Sequence, residues 1–186
     1  MITTRDLKII DFITEYKVAN TSTINEIFFT SKFGCYDRLR QICNEKKLLR
    51  YRNHISNEYI YVKKMPKQLT HSLYVTDFYR ELHKKCTEIV NFKIEPVMGD
   101  IRPDAVFGYK LGNKSYLGLL EVEISHKGFN YGKYDKFYSS GDYKNYLPVM
   151  PTIFIVGDNI KVAEDKGCRN NIKYVIVDTK FENFKL

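Results

Sequence analysis

Tryptophan is absent from the 186 residues, and proline is scarce, at five. Cysteine is also scarce. Cys35, Cys43, Cys86 and Cys168 are scattered, and none forms a C-x-x-C pair. That pattern excludes the usual zinc-site spacing and a disulfide framework, and it sets the expectation of a reducing, cytoplasmic location. No apolar run approaches the ~20 residues that a membrane helix needs. The opening MITTRDLKIIDFITEY places acids inside its apolar pattern, so it does not read as a signal peptide. A soluble protein without a membrane partner is expected.

What is present is enough for a core. Hydrophobic residues make up 44% of the chain and aromatics 15%, all of them the 15 Tyr and 12 Phe, which argues against disorder. The formal net charge is +8, and it is unevenly spread. Residues 1–70 carry 13 Lys and Arg against seven Asp and Glu, whereas residues 71–186 carry 17 against 15. A basic lobe joined to a near-neutral one is the charge distribution of a polyanion-binding module attached to something else.

The basic lobe reads as three helices and a hairpin. A Thr cap opens TTRDLKIIDFITEYKV, and Leu7, Ile10, Phe12, Ile13 and Tyr16 recur at helical spacing. After the polar break ANTS, Thr21 or Ser22 caps a short helix holding Ile24, Ile27 and Phe28. SKFG reads as a second break. CYDRLRQICNEKKLL then forms a third helix with Cys35, Leu39, Ile42 and Cys43 on one face. Opposite that face lie Tyr36, Arg38, Arg40, Gln41 and Asn44, with Lys46 and Lys47 at the end. Two β-like runs follow, LLRYRN and EYIYVKK.

This order is that of a winged helix-turn-helix over residues 1–66, whose third helix enters the major groove while the hairpin touches backbone. Arg pairs bidentately with guanine edges and Gln or Asn with adenine edges; Arg50, Arg52, Lys63 and Lys64 would neutralise phosphates.

Residues 67–186 read as a mixed sheet with flanking helices. A connector helix is expected over 66–90, with Leu69, Leu73, Val75, Phe78, Tyr79 and Leu82 facing a core. Strands are expected in NFKIEPVM, DAVFGYKL, YLGLLEVEIS, PTIFIVG and KYVIVDT, with a helix in YGKYDKFYSSGDYKNYL and another in NIKVAEDKG. On that framework three carboxylates draw notice. Asp104 begins one strand, and Glu121 and Glu123 share a face of the next because alternate strand residues point the same way. Converging acids raise each other's pKa unless a cation joins them, and oxygen-only ligation suits Mg²⁺ or Mn²⁺.

Pro103-Asp104 followed by Glu121-Val122-Glu123 resembles the PD-(D/E)xK nuclease-like core, with Glu123 in the place of the usual Lys. Lys127 is a substitute for that Lys. Over a longer span, the winged helix, LTHSLYVTDFYREL, RPDA and LLEVE before a Lys- and Tyr-rich helix resemble the replication-relaxation family. The resemblance implies an N-terminal winged helix joined to a restriction-endonuclease-like domain. It also implies a DNA-binding protein of a plasmid, phage or integrative element, linked to replication, transfer or their control.

The expected function is therefore sequence-specific binding of double-stranded DNA, which requires no cofactor. A homodimer, or a replication or transfer protein as partner, is compatible with it. The alternatives are a Mg-dependent endonuclease or nickase with Asp104, Glu121 and Glu123 as metal ligands and catalytic groups, and a dimerising interaction scaffold.

Overall fold

The computed structural model describes residues 2–53, 56–125, 128–158, 160 and 168–186. Among them are five α-helices and two sheets in a mixed α+β arrangement. The chain divides into two compact units, Met1–Arg80 and Glu81–Leu186, so the division falls later than the 66/67 boundary read from sequence. No helix among the described residues is long and apolar enough to cross a membrane.

In the first unit, helix α1 (Thr4–Tyr16) starts at a reciprocal cap. Thr3 Oγ1 accepts the Asp6 amide at 3.3 Å, and the Asp6 carboxylate accepts from the Thr3 amide and hydroxyl. Ile9, Ile10, Phe12, Ile13 and Tyr16 form its buried side. The expected polar break then contains a short strand, β1 (Val18–Asn20). Asn20 caps α2 (Thr21–Phe28), with its Oδ1 2.8 Å from the Thr23 amide. Helix α3 runs from Lys32 to Asn44, three residues earlier than the sequence pattern places it, because Gly34 is accommodated in the first turn. Strands β2 (Leu49–Asn53) and β3 (Glu58–Val62) follow as expected. The three strands form one antiparallel sheet in the order β1-β3-β2, with Val18 opposite Val62 and Leu49 also opposite Val62.

Helix α4 (Leu69–Lys85) begins in the first unit and ends sooner than expected, since residues 88–90 already belong to a strand. Its Leu73 packs with Val18, Ile60 and Val62. Asp77 Oδ1 accepts from Asn20 Nδ2 at 2.8 Å, Thr23 Oγ1 at 3.0 Å and Arg80 Nη1 at 3.0 Å. Arg80 Nη1 also reaches Ser22 Oγ at 2.9 Å. The cap of α2 is thus held from α4. Burial pushes the Asp77 carboxyl up, against the pull of Arg80 and its hydrogen bonds.

The second unit is a six-stranded sheet in the order β4-β5-β6-β7-β9-β8. Strands β4 (Glu88–Ile94), β5 (Ala105–Leu111) and β6 (Lys114–Val122) are antiparallel neighbours. Strand β7 (Thr152–Val156) joins β6 in parallel, β9 (Ile172–Val177) joins β7 in parallel, and the short β8 (Cys168–Arg169) closes the edge. Helix α5 (Gly132–Ser139) covers one face with Tyr134 and Phe137 against Leu119, Ile153 and Ile155. On the other face the rings of Phe92, Phe107, Phe154 and Phe184 are packed at centroid distances of 5.4, 5.5 and 6.0 Å. Gly118 is required there, since a Cβ would sit 2.3 Å from the Phe107 ring. The helix expected in NIKVAEDKG lies outside the described residues, apart from Ile160.

Candidate functional site

Helix α3 has two opposed stripes. Cys35, Leu39 and Ile42 are fully buried. At 100° per residue, Phe33, Arg40 and Asn44 fall on the far side and Tyr36 on the flank beside them, and all four are exposed. Arg40 Nη2 lies 3.3 Å from Asp37 Oδ1 on the surface, an exposed pair of little strength.

Arg38, expected among the base readers, is paired within the protein, while Gln41 is exposed and bonded to it. Arg38 Nε donates to Asp6 Oδ1 at 2.7 Å, its Nη2 pairs with Asp6 Oδ2, and its Nη1 donates to Gln41 Oε1 at 2.7 Å. Asp6 is fully buried, and a buried carboxylate needs such a partner. The Arg38 hydrogen bond, helped by Thr3, holds the Asp6 carboxyl at about 2 against the opposing effect of burial. The same carboxylate therefore caps α1 and fastens α3.

Beyond α3 the cations lie on the surface. Lys46 and Lys47 are exposed, and Lys46 ends the helix in the left-handed conformation with φ 55°. All of β2 up to Arg52 is exposed. The guanidinium carbons of Arg50 and Arg52 lie 5.0 and 5.2 Å from the Tyr59 ring centroid. Arg52 also bonds to Asn57, the turn residue at φ 56°. Stacking on one ring holds both charges on the hairpin while leaving them open to solvent. Lys63 and Lys64 follow directly, also exposed.

In the second unit the three carboxylates take different partners. Asp104 starts beside β5 and accepts the Val122 amide at 2.7 Å, while its own amide donates to Leu120 at 2.9 Å. Glu121 Oε1 accepts Lys133 Nζ at 2.8 Å and the Tyr134 hydroxyl, both from α5. Burial raises the Glu121 pKa above the ordinary range; Lys133 opposes this, and the charge of Asp104 adds to it. The Tyr134 hydroxyl is pushed up as well, first by burial and then by Glu121.

Glu123 turns back on its own chain, where Oε1 accepts the Ser125 amide at 3.0 Å and the Ser125 hydroxyl. Its backbone continues the ladder, with its amide 2.8 Å from the Val156 carbonyl. Gly157 passes so near that a Cβ would stand 2.2 Å from the Glu123 carbonyl oxygen. Glu121 thus feels the charge of Asp104 and meets Lys133 and Tyr134, while Glu123 bonds to Ser125. Among the described residues no group of three or more His, Cys, Asp or Glu side chains is arranged to hold a metal ion. Lys127 lies outside the described residues. Lys136, one turn from Lys133, pairs instead with Asp100 at 2.8 Å on the surface.

Sequence pattern missed Phe33 and the tie between Lys133 and Glu121. Phe33 was hidden inside a supposed break, and its signal was an aromatic residue one helical turn before Tyr36. Lys133 sits in an aromatic helix where its i+1 neighbour Tyr134 is core, and only the fold shows that both reach Glu121. No family model, curated protein or solved structure matches this chain.

Proposed function

We propose that the first unit is a winged helix-turn-helix that binds double-stranded DNA, with α3 as the groove-entering helix and the β2–β3 hairpin as the wing. The observation that carries this reading is the exposed, mostly polar stripe of α3, turned away from its buried stripe and followed by a hairpin bearing Arg50 and Arg52 on one tyrosine ring. The basic excess of residues 1–70 supports it. Arg40 and Asn44 reach base edges, and Arg50, Arg52, Lys46, Lys47, Lys63 and Lys64 meet phosphates. Arg38 positions the helix. On the resemblance to the replication-relaxation family, the process served is replication, DNA transfer or transcriptional control in a mobile element.

Binding by the Arg50→Ala/Arg52→Ala chain to labelled duplexes tests the wing. Affinity is expected to fall for every sequence alike, and the slope of log affinity against log salt is expected to drop by about two, one per lost phosphate contact. Unaltered affinity and slope reject the assignment.

A second reading, metal-dependent DNA cleavage by the second unit, is favoured by one contact: Lys133 at 2.8 Å from Glu121, with Asp104 close enough to perturb it. Asp104 and Glu121 are oxygen donors that fit Mg²⁺ or Mn²⁺. A cation held by them would supply charge neutralisation and a more acidic water. Lys133 would hold Glu121 in place and present a positive charge to a phosphate.

A further inference from the structure

Phe33 is 78% exposed, more than any other large hydrophobic among the described residues. It lies in the first turn of α3 and shares the stripe of Tyr36, Arg40 and Asn44. One exposed aromatic is ordinary on a protein surface. Its place is less ordinary. In a helix-turn-helix the first residues of the groove-entering helix are those that meet base edges, so a ring projecting from the first turn of α3 faces an outside surface.

The proposed function supplies that surface. Along the major groove the edges of the base pairs are polar, with a single apolar group among the four standard bases: the C5-methyl of thymine. Phe33 offers no hydrogen bond, so a methyl is the feature it can distinguish. Arg40 and Asn44, about two and three turns along the stripe, have the polar groups for base edges further along the groove. The surrounding charge, 13 Lys and Arg against seven acids over residues 1–70, favours a polyanion over an apolar protein partner.

We infer that Phe33, at the leading end of α3, is a specificity-determining residue that reads a thymine methyl group in the major groove. This rests on the DNA-binding reading above.

The test uses the full chain and a duplex that it enriches from a randomised pool. Each thymine of that duplex is replaced in turn by deoxyuridine, which removes only the methyl. The wild type is expected to lose about fourfold in affinity at one or two positions, the worth of one buried methyl group. Phe33→Ala is expected to bind thymine and uracil duplexes equally, with its salt slope unchanged. Phe33→Leu, which keeps an apolar contact, is expected to keep part of the discrimination.

Indifference of the wild type to every thymine-to-uracil change overturns the proposal. So does an undiminished uracil penalty in Phe33→Ala. Failure of the DNA-binding reading itself looks different: no sequence is enriched, and no salt-dependent binding to any duplex is seen. Self-association of the chain that is abolished by Phe33→Ala, without any effect on DNA, would assign the ring to an interface between copies and overturn the proposal too.

Discussion

At the scale of single residues, Asp6 carries more than its position suggests. It is fully buried, accepts both the Thr3 amide and hydroxyl, and takes two contacts from Arg38. Its carboxyl titrates at about 2 when folded, against an ordinary 3.8. A lowered folded pKa gives stability that is complete above the unfolded value and is lost as pH falls toward the folded one. The melting temperature of the wild type is therefore expected to fall more steeply between pH 4 and pH 2 than that of Asp6→Asn, which has no such proton to take up. Parallel melting curves by circular dichroism over that range would remove Asp6 from the account of acid stability. Nothing in the sequence marks the pair. Asp6 and Arg38 are 32 positions apart, and Arg38 lies on the polar side of a helical wheel, where it reads as a base-contacting group.

Among the elements, α4 was the hardest to read. Its apolar spacing shows a helix, but periodicity cannot say which neighbours that helix serves. Leu73 fills the core around Val18, Ile60 and Val62, and Asp77 and Arg80 hold the N-terminal cap of α2. A fragment cut at residue 66 loses all of these. Removing Leu73 alone costs ~2 kcal/mol or more in a packed core, and small units have little stability to lose. A fragment ending at Lys85 is expected to melt cooperatively, whereas one ending at Pro66 is expected to show no cooperative transition. Equal melting of the two would mean that α4 is dispensable to the first unit. Strand β1 was missed for a related reason. Three residues are too few for an alternating pattern, and their pairing partner β3 lies some forty positions away, so Val18–Asn20 becomes a strand only through tertiary context.

For the whole molecule, charge and hydrophobic pattern made much of the layout legible: a basic segment of helices and a hairpin, then a sheet of apolar strands. Helices α1 and α2, strand β3 and strands β5, β6, β7 and β9 follow from local periodicity because each buries one face or both, while β2 is legible only as the run of alternating Arg before its hairpin partner. The carboxylate trio did not survive as a trio, since strand alternation fixes direction but not what waits there. Glu121 met Lys133 and Tyr134, and Glu123 met Ser125. Cleavage of DNA is tested on the whole chain. Incubated with supercoiled plasmid and Mn²⁺, it is expected under the cleavage reading to nick or linearise DNA, with loss of at least tenfold in Glu121→Ala and in Lys133→Met. Cleavage that is absent, or indifferent to both substitutions, removes that reading and leaves binding untouched.

The double use of Asp6 has a further consequence for anyone mapping this protein by genetics. The carboxylate that begins α1 also sets the seating of α3, so damage at one end of the unit is transmitted to a surface built more than thirty positions later. If α3 reads DNA, a screen for lost binding should return Thr3 and Asp6 beside the α3 stripe, although neither belongs to it. Such alleles would also differ in kind. They should be corrected by second-site changes that reseat α3, whereas no reseating restores a missing Arg40.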